Sequence, residues 1–184
     1  MARIPYLDPN HASDEVRTTF AKLAAPLNVF RMMAQAQTNF RPLVRLGTSI
    51  LSQQTLDAKL RELAILRVAM LSGARYEWIQ HVPIARAVGA TDEQIEALER
   101  GDAGAPSFNT RERLVLRFTT EVVRDVRASD AVMVEMPTCF TPQEIVELIL
   151  AIGFYMLMAR LMETTGVDLE PAPGTAIYDA VKPR

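Results

Sequence analysis

Apolar residues recur along this chain at intervals of three and four and almost nowhere at intervals of two, which predicts helix after helix and no sheet. A first helix is expected from a cap at Ser13 through Val16, Phe20, Leu23 and Ala24 to a stop before Pro26. Asn28 caps a short second helix ending at Met33, and a third covers about 40–53, with Pro42 tolerated in its first turn. Thr55 opens a long apolar helix that ends near Gly73. A further helix over 75–88 is closed by Gly89. Thr91 with Gln94 and Thr141 with Glu144 each read as a capping box, the second with Pro142 at the favourable first position. Another helix runs from Thr110 to about Val126, after a loop at 101–109, and the last helix ends at Gly166. The predicted fold class is therefore all-α, a single domain of about seven or eight helices. N-terminal helices occupy 1–54, core helices 55–166, and an irregular tail 167–184 drapes over the body or over a neighbouring subunit.

One pattern cuts across these elements. The run from Arg61 to Val68 resembles that from Arg111 to Phe118, and Thr91–Leu98 resembles Thr141–Leu148, both at an offset of 50. Two matches at one spacing suggest a duplicated helical unit. Glu62 recurs as Glu112, whereas Glu77 and His81 face Arg127 and Ala131 in the second copy. A structural carboxylate should persist in both copies, and a working pair need persist in only one, so Glu77 and His81 stand out.

Composition narrows the function classes. At 184 residues, 49% hydrophobic and 23% charged, with a formal net charge of -2, the chain has an ordinary globular profile. Its 20 basic residues are scattered, which speaks against nucleic acid and against anionic membrane surfaces. Cys139 is alone, so neither an internal disulfide nor an all-cysteine metal cage is available. The first fifteen residues hold no apolar signal core. The apolar stretch 145–162 carries Glu147 and Arg160 between Glu144 and Glu163, which argues against a membrane span and for a cytoplasmic protein.

The chemistry concentrates in "RELAILRVAMLSGARYEWIQH", residues 61–81. Glu77 and His81, at i and i+4, share one helix face, where a carboxylate can raise and orient an imidazole for proton transfer. Glu62 sits among leucines on a helix whose faces are mostly covered, a costly place for an unpaired carboxylate. Lys59 and Arg67 are within reach as ordinary partners. If the hairpin folds back at Gly73, the depths of Glu62 and His81 differ by only about 5 Å, which permits contact. Tyr76 and Trp78 could line a pocket, and Arg67, Arg75 and Arg160 are the candidates for holding a substrate carboxylate. Met156, Met158 and Met162 read as core or interface. No Gly-rich phosphate loop, Ser-His-Asp arrangement or HExxH motif occurs, and no metal site or cofactor is expected.

Residues 55–100 resemble the core of the carboxymuconolactone decarboxylase family, which includes AhpD-type alkylhydroperoxidases, and 153–170 is similar to the end of many members. In the peroxidase branch a Glu is followed, after eleven residues, by Cys-x-His-Cys and then, three residues on, by His. Glu62 and His81 match the outer positions of that frame, while Ala74, Tyr76 and Glu77 stand at Cys, His and Cys. Thiol–disulfide chemistry needs a thiolate and a resolving partner, and this hairpin has neither. The decarboxylase branch, with Y-E-W-x-x-H, is the closer comparison. It implies an AhpD-like bundle in a homo-oligomer, trimer to hexamer, and cofactor-independent loss of CO2 from a small carboxylated lactone. His81, Glu77 and Glu62 would then carry the catalysis. The alternatives are a peroxide-reducing activity with Cys139 as the only thiol, and a non-catalytic helical oligomer that binds a hydrophobic small molecule.

Overall fold

A computed structural model of the chain describes residues 1–182, and over that range it is helical with no strand. After a 3-10 turn at Pro9–His11 come α1 (Asp14–Phe20), α2 (Asn28–Met33), α3 (Gln37–Ser52), α4 (Ala58–Ser72) and α5 (Arg75–Ala87). They are followed by α6 (Asp92–Glu99), α7 (Thr110–Asp125), α8 (Asp130–Cys139), α9 (Pro142–Thr165) and α10 (Ala176–Val181). Eight of these helices have seven residues or more, as the periodicity predicts, and α2 and α10 are single short turns beside them.

Helix α4 is the axis of the molecule. Every residue from Leu60 to Ala69 is buried, because α5, α7 and α9 pack around it. A helix covered on all sides has no polar stripe, which is why its apolar residues show so little one-sidedness in the sequence. Asp57, rather than Thr55, caps its start by accepting from the Leu60 amide at 3.1 Å. At its end Gly73 takes φ +64°, the left-handed conformation that turns the chain back into α5. Helix α9 passes along the other side of α4. By length and composition it could cross a membrane, its charges notwithstanding, with a mean hydropathy of 2.0 over its most apolar window. That window is 44% buried inside the protein, and Leu148, Ala151, Ile152 and Tyr155 fill the core against α4.

Two stretches differ from the sequence reading. Residues 130–139 form α8, although Pro137 and the absence of an amphipathic stripe hide it. Only Val132 and Met136 of that helix are buried, too few to stand out as a period. The tail is irregular only to 175, and 176–181 is the helix α10; positions 183 and 184 lie outside the described residues. A set of hydrogen bonds holds the tail down. Asp168 accepts from the Tyr6 hydroxyl at 3.0 Å, and its backbone oxygen accepts from Asn28 Nδ2 at 3.2 Å. Glu170 Oε1 accepts from the Asn28 amide at 2.6 Å and from the Tyr76 hydroxyl.

The echo at an offset of 50 joins carboxylates with different work. Caps Asp57 and Asn109 are 52 residues apart, so Glu112 falls at the third position of α7 while Glu62 lies deeper in α4. Glu112 completes a capping box on the Asn109 amide at 2.8 Å, accepts from Gln94 Nε2 at 2.9 Å, and pairs with Lys59 at 2.6 Å. Burial opposes its charge, but Lys59 and the Asn109 amide outweigh burial and hold its carboxyl below the ordinary range. Glu112→Ala should therefore lower unfolding free energy by about 2 kcal/mol in urea titrations near neutral pH. Because the folded-state pKa is depressed, the deficit against the parent should shrink as pH falls below the ordinary glutamate value, about 4.3.

Candidate active site

The hairpin of α4 and α5 brings Glu62 and His81 into contact. Glu62 is fully buried, and its Oε2 lies 2.8 Å from His81 Nδ1. Neither of its expected partners is used: Lys59 goes to Glu112, and Arg67 donates to Thr120 Oγ1 and to the Gly101 carbonyl. The countercharge comes from Arg61, next door in sequence, whose Nε sits 3.5 Å from Glu62 Oε1 without forming a hydrogen bond. Arg61 is itself buried, so the two charges neutralise one another inside the core.

Glu77 is one turn before His81 on α5 and is buried, with no hydrogen-bond partner on either carboxyl oxygen. Among the described residues, six buried side-chain N and O atoms have no partner within the protein, and five belong to Arg61, Glu62 and Glu77. Native interiors rarely leave such groups unpaired, so their gathering at one point marks a place where polar groups are kept for another molecule. Burial, followed by repulsion from Glu62 and Glu163, pushes the Glu77 carboxyl well above its usual range, a shift that favours its protonated form. Tyr155 of α9 closes the cluster, its ring edge-on to His81 with centroids 4.7 Å apart. Burial, then Glu62 and Glu77, raise its hydroxyl pKa well above the ordinary value, against a smaller lowering from Arg61. Its hydroxyl makes no hydrogen bond to a described residue.

Glu77, His81 and Tyr155 form the floor of a cavity of about 910 Å³ between α1, α2, α3, α5, α9 and the tail, while Glu62 and Arg61 do not line it. Its walls are apolar, among them Leu27, Val29, Met33, Phe154, Met158 and Met162. Gly47 keeps α3 close to this wall, since a Cβ there would come within 2.9 Å of the Phe154 ring. His81, Glu77 and Tyr76 line the cavity as the sequence suggests, although the Tyr76 hydroxyl is committed to Glu170. The other expected binding residues do not line it. Trp78 packs into the apolar clusters around α4 and α6. Arg75 and Arg160 are exposed elsewhere, and Arg67 is spent on Thr120 and Gly101. Cys139 is also remote, at the end of α8 in a separate depression with Arg113 and Arg117. Arg61 and Tyr155 were not singled out from the sequence. The available signals were a second charge beside Glu62 on a covered helix, and a lone hydroxyl in the apolar run of α9.

Residues 38–121 match the model of the carboxymuconolactone decarboxylase family. The match covers just under half of the chain. The match contains Glu62, Glu77 and His81 and stops short of Tyr155 and the tail. Among solved structures, an uncharacterized peroxidase-related protein with an alkylhydroperoxidase AhpD core from Ralstonia eutropha JMP134 superposes with a TM-score of 0.78, at 19% identity over 92% of each chain. An uncharacterized peroxidase-related protein from Silicibacter sp. TM1040 gives 0.77, at 19% identity and the same coverage. The debrominase Bmp8, solved in complex with 2,3,4-tribromopyrrole, gives 0.75 at 15% identity, over 98% of this chain and 100% of that one. The fold is thus AhpD-like, and at such identities fold is all these likenesses carry. Among functionally curated proteins, none matches the sequence significantly.

The protonated Glu77 has a thermodynamic signature. A carboxyl whose folded pKa is raised makes the folded state bind more protons than the unfolded one, so stability falls as pH climbs from about 4.3 towards the folded value. Glu77→Gln removes that slope. The melting temperature of this variant relative to the parent should therefore rise steadily between pH 4.5 and 8, and a pH-independent difference would show Glu77 to be ionised in the fold.

Proposed function

We propose that this protein is an acid–base enzyme acting on a small lactone, enol or ketone through proton transfers carried by its own side chains. The observation that carries this reading is the pairing of two opposite proton functions on one cavity floor. His81, with Nδ1 held by the Glu62 carboxylate, offers Nε2 as a base, because the hydrogen bond to Glu62 selects the tautomer protonated on Nδ1. Glu77, held protonated, offers a carboxylic acid one helical turn away. A carboxylic acid and an imidazole one helical turn apart on the same cavity supply the two proton functions such a reaction needs.

For a carbonyl compound the steps balance simply. His81 Nε2 removes a proton from the carbon next to the carbonyl, the electron pair moves onto the carbonyl oxygen, and Glu77 supplies that oxygen with a proton. Return of the proton from His81 to a different carbon, and of the enol proton to Glu77, completes an isomerisation. Where the activated carbon bears a carboxylate instead of hydrogen, the C–C bonding pair moves into the same carbonyl system and CO2 leaves. His81, which must enter this route protonated on Nε2, then delivers that proton to the carbon, the enol proton returns to Glu77, and water restores the proton to His81. This lyase reaction, suggested by the match to the family model, asks the same acid of Glu77 but a protonated imidazole in place of the base. Glu62 acts through His81 and is a positioning residue. A thiol peroxidase mechanism draws no support, because Cys139 does not line the cavity.

The test uses α-angelica lactone, whose conversion to the conjugated isomer is followed by proton NMR. The parent should accelerate it above the buffer rate, and His81→Ala should lower kcat by about 10²–10⁴-fold with an unchanged melting temperature. Glu62→Gln should lower kcat and shift the acidic limb of the pH–rate profile, which reports the base His81, while leaving KM nearly unchanged. Loss of activity in His81→Ala only in step with loss of folded protein would make His81 structural and overturn the assignment.

A further inference from the structure

The geometry points to an uncharged, oxygen-bearing ring compound as the molecule this cavity takes, entering with its carbonyl or hydroxyl towards α5. The inference rests on the acid–base reading, adds to it the charge and polarity of the substrate, and so selects its isomerisation branch over loss of CO2 from a carboxylate held at the floor.

The floor presents three uncommitted polar groups: His81 Nε2, the Glu77 carboxyl, whose two oxygens are buried and without partners, and the Tyr155 hydroxyl. With Glu77 protonated, two of these are hydrogen-bond donors and one is an acceptor. A carbonyl oxygen between the two donors, with an acidic C–H towards the imidazole, uses all three.

A carboxylate fits badly in the same place. Arg61 is the cation next to the floor groups, but it does not line the cavity and its charge is spent on Glu62. An anion brought there would give up its hydration beside two glutamates without gaining a countercharge, a far larger penalty than desolvating a neutral carbonyl. The cations that line this cavity are Lys22, Arg41 and Arg45, all exposed, and Arg41 already pairs with Glu15 at 3.1 Å. Between floor and mouth the walls are hydrocarbon and aromatic, with Phe154 and the flexible Met158 and Met162 able to pack against a flat ring.

Two isosteric probes separate charge from shape: 2-acetonaphthone, a neutral ketone, and 2-naphthoate, an anion, each titrated calorimetrically into the full-length protein at pH 7.5. The ketone should bind at least tenfold more tightly than the carboxylate. Tyr155→Phe and Glu77→Ala, each taken through the same titration, should weaken the ketone several-fold and leave the affinity for unsubstituted naphthalene unchanged. Equal or tighter binding of 2-naphthoate overturns the inference. So does failure of the ketone to bind, or a ketone affinity indifferent to both substitutions. The acid–base reading is judged separately by lactone isomerisation. A parent that isomerises the lactone yet prefers 2-naphthoate would retain the first reading and lose this one.

Discussion

A carboxylate with no exposure to solvent sits in the middle of the most enclosed helix of this protein, and the site is organised around keeping it charged. Stripping a carboxylate of its hydration is costly, and only close partners offset that cost. Arg61 and His81 meet it from two sides, and the latter can do so only because Gly73 folds α5 back along α4. The charge on Glu62 in turn acts on its surroundings. Beside the larger effect of burial, it raises the pKa of Glu77 and of Tyr155, so one buried carboxylate bears on two neighbouring groups.

The two faces of α5 divide the labour. One carries Glu77, Gln80 and His81 to the cavity, and the other places Trp78 among the apolar residues around α4 and α6, which fixes the angle of the helix. This is why Trp78, beside Glu77, is a packing residue while Tyr76 reaches the cavity. Likewise, the two carboxylates that match at an offset of 50 are not equivalent. Glu112 is satisfied by Lys59, Gln94 and a backbone amide, and Glu62 is left with a free oxygen and a histidine.

Much of the bundle can be read from the sequence because its helices announce their ends. The boxes at Thr91 and Thr141 and the glycines at 73 and 166 all act as their residue types predict. The Glu62–His81 contact is also legible, since rise per residue on both sides of Gly73 sets their relative depth. What escapes is information held in long-range packing. Helix α8 buries two side chains and carries an internal proline, so it leaves no period to detect. The arginines expected to bind substrate fail because spacing along a helix does not say which neighbour covers which face. Tyr155 lies 74 residues after His81, and only the tertiary fold makes them neighbours.

The walls of the cavity come from almost the whole length of the chain, beginning at Asp14 and ending at Val181 on α10. Between them Glu170 fastens the tail to Asn28 near the beginning and to Tyr76 beside the floor. On the ribosome, α4 and α5 emerge and can form their hairpin long before either α9 or the tail exists. The Glu62–His81 contact can therefore form early, the Tyr155 part of the floor follows with α9, and the wall supplied by Pro173 to Val181 closes last.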